Sequence, residues 1–108
     1  MINQTVQEGK TLAIVCYLTF IGLIIAVIMN LEKRNPFTTF HIRQMLGLLI
    51  MLLVSNLIEE YLNSWVGTLC WMATAFCWFY AFFHVIKGEA KLVPYVGEHF
   101  QEWFKNVR

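Results

Sequence analysis

Charge is scarce in this chain. Of its 108 residues, 14% are charged and 58% are hydrophobic, whereas an ordinary soluble domain has about 25% charged and roughly 45–50% apolar residues. There is no aspartate, so all seven acidic residues are glutamate. A small domain exposes a large fraction of its surface, and so few charges cannot cover it. The composition therefore excludes an ordinary soluble globule and indicates a protein solvated by lipid.

Several classes of function lack their usual signals. The formal net charge of +1 provides no basic face of the kind that nucleic-acid binding requires, so no nucleic-acid partner is expected. The sequence has no metalloprotease, phosphate-loop or dinucleotide-binding motif. Cys16, Cys70 and Cys77 all lie in apolar segments, where a free thiol behaves as a small hydrophobe. We therefore predict a non-enzymatic protein without a metal, cofactor or redox site.

Three long stretches with few or no charges predict an all-α integral membrane protein. The first has 21 uncharged residues, which rise about 31 Å as a helix and match the hydrocarbon core of a bilayer. The second begins with Asn35, a good N-cap, and Pro36, which suits the first helical position. Only a tight turn separates it from the third, so these two helices are predicted to be antiparallel neighbours. The predicted spans of this single domain, residues 1–108, are about 11–31, 36–61 and 64–87.

The basic residues are distributed unevenly over these predicted spans. Three spans place the N-terminus and the 59–64 turn on one side, and the 30–44 loop and the C-terminal tail on the other. The first side has only Lys10, whereas five basic residues lie close to span ends on the second: Lys33, Arg34, Arg43, Lys87 and Lys91. The positive-inside rule then places the C-terminus in the cytoplasm and the N-terminus outside.

Small residues at helical spacing predict where the spans pack. The third span has Ala73, Cys77 and Ala81 at positions i, i+4 and i+8, and the first span has Gly22 and Ala26. Small side chains let the backbones of two membrane helices approach closely. We expect these two strips to be helix-packing seams.

The C-terminal residues predict an amphipathic interfacial helix at about 95–107. Its apolar positions recur at helical spacing and include Phe100, Trp103, Phe104 and Val107. From Glu89 onward, three acidic and three basic side chains cancel, so electrostatic attraction to anionic lipid is expected to be weak. The aromatic stripe is predicted to anchor this helix, either in the headgroup layer or on a partner subunit.

A group of polar and aromatic residues marks the start of the second span: Phe40, His41, Arg43 and Gln44. His41 and Gln44, at i and i+3, share a helix face. We predict that this group and the tail residues Phe100, Trp103 and Phe104 form a partner-binding face. An alternative is a redox subunit in which His41 and His84, predicted at the same depth, hold a haem or in which nearby aromatic rings bind a quinone. A third interpretation leaves both histidines bonded to backbone, water or lipid phosphate.

Two short patterns resemble a known family. Pro36-Phe37 and Phe40-His41-Ile42-Arg43-Gln44 open the second span, and Gly88 and Pro94-Tyr95-Val96-Gly97-Glu98 follow the third. Over residues 12–98 the chain is similar to small bacterial membrane proteins grouped with the chloroplast inner-envelope protein-import component. The resemblance implies a helical protein of the bacterial inner membrane. Because the sequence has no recognisable group of catalytic residues, we expect a subunit or accessory of a membrane complex, with protein transport as the role that the resemblance implies. We expect it to contact lipid and either other subunits or further copies of itself.

Overall fold

The computed structural model describes residues 3–93 and 96–106, and every regular element within these ranges is a helix. In chain order the helices are α1 (Asn3–Leu18), α2 (Phe20–Lys33), α3 (Pro36–Tyr61), α4 (Ser64–Ile86) and α5 (Gly97–Trp103). Of these, α3 and α4 are long and apolar enough to cross a membrane. The all-helical class is confirmed, with two candidate membrane-spanning helices.

The helices α3 and α4 form an antiparallel hairpin with well-defined starts. The Asn35 side chain accepts two backbone N–H bonds at the start of α3, and Asn63 does the same at the start of α4. Pro36 occupies the first helical position, where its missing N–H leaves no bond unmade. A Cβ on Gly67 would collide with the backbone of Glu59, so this glycine lets the two helices approach closely. Their bounds lie within one residue of the predicted second and third spans.

The first predicted span, residues 11–31, is not a single helix. Thr19 is extended (φ −150°, ψ 167°) and separates α1 from α2, and its hydroxyl accepts a 2.9 Å bond from the Gly22 N–H. A threonine hydroxyl competes with helix hydrogen bonding in this way and favours a cap. A Cβ on Gly22 would collide with the Val15 carbonyl oxygen, so the absent side chain permits the close turn between the helices.

The N-terminal helix starts beside the N-terminus of α3. The Thr5 carbonyl accepts a 2.9 Å bond from the Asn35 side chain, and the Gly9 carbonyl accepts one of 2.9 Å from the Thr38 hydroxyl. Because α2 leads directly into α3, the end of α2 also lies beside the start of α3. The helices α1 and α2 therefore form a hairpin, and the start of α1 and the end of α2 lie at the same end of the molecule. The prediction that the N-terminus shares an end with the α3–α4 turn is therefore wrong.

The two ends of the α3–α4 hairpin differ in charge. We call the end with the start of α3 and the end of α4 the basic end, because Lys and Arg residues surround it in the described chain: Lys10, Lys33, Arg34, Arg43, Lys87, Lys91 and Lys105. We call the opposite end the acidic end. It has Glu59 and Glu60, and the sequence has no Lys or Arg between residues 44 and 86.

The tail helix α5 packs on α3 of the same chain. The Phe100 ring is 3% exposed and lies against Gly47, where a Cβ would collide with it. The predicted interfacial helix, residues 95–107, is only seven residues long in the structure. Tyr95 and Val107 lie outside the described residues, as does Pro94 of the family pattern.

Candidate functional site

Three polar side chains meet in the interior between α1 and α3. Tyr17 of α1 and His41 and Gln44 of α3 are at most 1% exposed, and we call them the polar cluster. Polar groups buried among apolar helices are costly unless they are hydrogen-bonded. Their hydrogen-bond partners therefore show whether these side chains only stabilise the fold or are free to react with or bind another molecule.

The hydrogen bonds within the polar cluster fix the state of each group. Gln44 Nε2 donates to the Tyr17 hydroxyl oxygen at 3.1 Å, and that oxygen lies 2.7 Å from His41 Nδ1. Nε2 of His41 lies 3.0 Å from the Glu89 carbonyl oxygen, which can only accept, so the imidazole proton lies on Nε2. In the neutral ring Nδ1 is then an acceptor, and the Tyr17 hydroxyl donates to it. This pattern assigns a neutral His41 with no free ring nitrogen.

The cluster also binds the irregular chain that follows α4, residues 87–93, which begins with a turn at Lys87 and Gly88 and which we call the return segment. Gln44 Nε2 donates to the Lys91 carbonyl at 3.2 Å, and Gln44 Oε1 accepts from the Val93 N–H at 3.0 Å. With the His41 bond to Glu89, α3 bonds to the backbone of three alternate residues of the return segment, 89, 91 and 93. The side chains of His41 and Gln44 therefore hold this part of the chain against α3.

Aromatic rings enclose the polar cluster. The centroids of Phe37 and Phe40 lie 4.7 and 5.1 Å from that of His41, in edge-on geometry. On the α4 side, Trp78 Nε1 donates to the Tyr17 carbonyl at 3.0 Å. The rings exclude water, and a low-dielectric setting strengthens the bonds inside it.

The residues predicted as a partner-binding face lie together, but they bind the chain's own tail. His41 and Gln44 are 0% exposed because the return segment covers them, so they lie beneath the face that was predicted to bind a partner, and partner binding at that face stays a prediction. The Phe40 carbonyl accepts from the Gln101 side chain at 2.8 Å, and Arg43 Nη2 donates to the Lys105 carbonyl at 2.7 Å.

The three aromatic residues predicted for the tail have different surroundings. Phe100 is buried, Phe104 is half-buried and Trp103 is 68% exposed. Only Trp103 presents most of its surface to the outside. It is the tail residue best placed to contact another molecule.

The second histidine of the haem alternative also binds the return segment. His84 Nδ1 lies 2.8 Å from Glu89 Oε1, and this hydrogen bond lowers the pKa of the Glu89 carboxyl below its usual value. A haem ligand needs an unshared imidazole nitrogen lone pair, and His41 has none because Tyr17 donates to it. The two histidines therefore do not fit a pair of axial ligands. Within residues 3–93 and 96–106, no three His, Cys or Glu side chains group as metal ligands.

Four of the five predicted packing residues are buried: Gly22, Ala26, Cys77 and Ala81. Ala73 is exposed. The three cysteines are free thiols. Small residues thus lie inside the bundle on α2 and on one side of α4, while the strip on α4 does not continue to Ala73.

Sequence reasoning missed Tyr17 and the return segment. A phenol within a long uncharged stretch was the available signal for Tyr17, since a buried hydroxyl usually finds a partner. The return segment contributes backbone N–H and C=O groups, which every residue type has and which a sequence therefore cannot reveal. Comparison of the chain with protein-family models, with curated proteins and with solved structures finds no match.

Proposed function

We propose that the chain is a non-enzymatic subunit or accessory of a membrane complex. The observation that carries this proposal is the internal satisfaction of its polar groups. In the described chain, no buried side-chain nitrogen or oxygen lacks a hydrogen-bond partner. The polar cluster therefore holds the fold together, and it presents no nucleophile, acid or base to a substrate.

The outer surface supports embedding in a bilayer. Large apolar side chains are more than half exposed on three helices: Ile21, Ile28, Leu53, Leu57, Leu69, Phe76 and Phe79. A soluble monomer rarely exposes apolar patches of this extent. With 26 and 23 residues, α3 and α4 rise about 39 and 35 Å, which exceeds the hydrocarbon thickness of about 30 Å.

The α1–α2 hairpin is better suited to entering the membrane than to crossing it. Its helices have 16 and 14 residues and rise only about 24 and 21 Å. The start of α1 and the end of α2 both lie at the basic end. The tip of the hairpin lies near the middle of α4, where Trp78 bonds to the Tyr17 carbonyl. We therefore replace the predicted three spans with two spans and one re-entrant hairpin.

The charge distribution supports an orientation with both termini in the cytoplasm. The start of α1, the α2–α3 connection and the return segment all lie at the basic end, and the α3–α4 turn has no Lys or Arg. The positive-inside rule places the basic end in the cytoplasm. This proposal keeps the C-terminus where the sequence placed it and moves the N-terminus to the same side.

The cytoplasmic face proposed here is built from α1, the α2–α3 connection and α5. Trp103 lies beside this face on α5, where it is 68% exposed and lines an apolar cavity with Val54 and Ala73, and exposed indoles are frequent anchors of protein interfaces. The resemblance of residues 40–44 to the import-component family favours a complex in protein transport. We propose that this face, held in shape by the polar cluster, is where another subunit binds.

Gentle detergent extraction followed by native mass measurement tests the proposal. We expect the chain in a complex heavier than its own 12.7 kDa, and we expect Trp103→Ala to reduce the amount of that complex. Trp65→Ala is the matched control, because Trp65 is 81% exposed at the acidic end. A lone monomer, or equal loss in both variants, contradicts the proposal.

A further inference from the structure

A groove between α3 and α4 is not used by the polar cluster or by the cytoplasmic face. Its apolar part has a volume of about 190 Å³ and is lined by Met45, Leu52, Trp71, Ala75 and Trp78 among others. We call it the α3–α4 groove. A second cavity of about 270 Å³ follows it along the same face of the two helices, and Trp71 lies between the two and lines both. The second cavity is the mouth of the groove.

The length of the groove matches one leaflet of a bilayer. From Thr68 at the mouth to Trp78 at the inner end are ten residues of α4, or about 15 Å of helix, which is half of a hydrocarbon core of about 30 Å. At the inner end, Trp78 bonds to Tyr17 at the tip of the α1–α2 hairpin. The hairpin thus occupies the depth of one leaflet and the groove that of the other.

The mouth is polar, unlike the rest of the groove. It is lined by Asn56, Glu59, Thr68 and Trp71. The Asn56 amide is exposed, and neither it nor the Thr68 hydroxyl bonds to any side chain or backbone group in the described ranges. Polar groups near the hydrocarbon of a membrane are expensive without a partner. The mouth therefore offers donors and acceptors to a ligand that has its own.

The charge at the mouth selects the headgroup. Glu59 lines it, Glu60 follows, and the sequence has no Lys or Arg from residue 44 to residue 86. A carboxylate without nearby cations repels an anionic phospholipid and attracts an ammonium group.

We propose that the α3–α4 groove binds one phospholipid with an ammonium headgroup, phosphatidylethanolamine being the probe, from the leaflet at the acidic end. Its acyl chain lies along Trp71 and Ala75 toward Trp78. Its ammonium donates to Glu59, while its ester and phosphate oxygens accept from Asn56 and Thr68. The proposal rests on the membrane embedding proposed above.

Native mass spectrometry of the full chain released from lipid nanodiscs tests the proposal. The discs contain phosphatidylethanolamine and phosphatidylglycerol in equal amounts, with identical acyl chains. We expect one retained lipid per chain and a preference of about tenfold for phosphatidylethanolamine, as one charge-assisted hydrogen bond supplies.

Paired variants separate the headgroup from the acyl chain. Glu59→Gln abolishes the preference, whereas Glu60→Gln, which does not line the mouth, preserves it. Ala75→Phe fills the groove and abolishes retention, whereas Ala73→Phe, on the other side of α4, preserves it. Glu59→Gln changes no volume, so it reports on the site even where Ala75→Phe disturbs folding.

Each contrary result has a distinct meaning. Equal retention of the two lipids by the unmodified chain overturns the headgroup assignment, and retention that survives Ala75→Phe overturns the site. A dimer that Ala75→Phe converts to a monomer assigns the groove to a second copy and overturns the lipid. All three arise with the protein inserted in the disc, whereas failure to insert contradicts the membrane embedding itself.

Discussion

The Tyr17 hydroxyl joins three parts of the chain that are far apart in sequence. It accepts from Gln44 and donates to His41, and these two side chains bind the backbone of the return segment. Removing it leaves a donor and an acceptor unpaired in an interior that water does not reach. The stability of the bundle therefore depends strongly on a single oxygen atom.

Tyr17→Phe removes that oxygen and keeps the ring. We expect the free energy of unfolding to fall by about 1–3 kcal/mol, because buried partners remain unsatisfied. Denaturant titration in detergent, followed by circular dichroism, measures it. The same change at Tyr61, which is 73% exposed, is expected to alter stability by less than about 0.5 kcal/mol. Equal effects of the two substitutions would show that the Tyr17 bonds contribute nothing specific.

Individual residues of the site were predictable only in part. The sequence places His41 and Gln44 on one face because i and i+3 are neighbours on a helix. Their hydrogen-bond partners could not be predicted. These are the backbone carbonyls of Glu89 and Lys91 and the backbone N–H of Val93, which do not depend on the residue type. His41 and Gln44 thus make internal contacts whose other half is backbone, and whether the surface above them binds a partner stays a prediction.

At the scale of the elements, local signals determined what could be predicted. The starts of α3 and α4 follow from Asn35-Pro36 and Asn63, since a cap acts within one turn of the chain. The break at Thr19 also has local support, since its hydroxyl caps α2 and Gly22 permits the close turn. These signals lie inside a continuous apolar stretch, which taken by itself predicts one helix.

The docking of α5 depends on the absence of a side chain at Gly47. In Gly47→Ala, the new methyl group collides with the Phe100 ring, and a helix of seven residues is too short to hold its place alone. We expect α5 to detach. Hydrogen–deuterium exchange of the α5 backbone amides, which are hydrogen-bonded in the docked helix, measures this as a faster rate.

The control for this prediction is a substitution elsewhere on α3. Leu53→Ala changes a side chain that is 55% exposed, and we expect no effect on the exchange rate of the α5 amides. An unchanged rate in Gly47→Ala would mean that α5 accommodates the methyl group without leaving α3.

The whole molecule is asymmetric along its long axis. Its extents are 46 × 23 × 23 Å. The helices α1 and α2 and the return segment lie toward the basic half, and α5 reaches the middle, where Trp103 lines a cavity with Val54 and Cys70. Additional helices surround the polar cluster, whereas the α3–α4 groove is exposed where fewer helices pack. The proposed subunit-binding face and the proposed lipid groove therefore lie on different parts of the molecule.

This asymmetry predicts the membrane topology. Cys16→Ser, Cys70→Ala and Cys77→Ala give a background without thiols, and single cysteines at Gln4, Ser64 and Asn106 report on α1, the α3–α4 turn and the tail. Because α1 starts beside Asn35, we expect Gln4→Cys and Asn106→Cys to react with an impermeant maleimide only in permeabilised cells. Ser64→Cys reacts in intact cells. If Gln4→Cys instead reacts like Ser64→Cys, residues 11–31 cross the membrane as one span and the re-entrant hairpin is wrong.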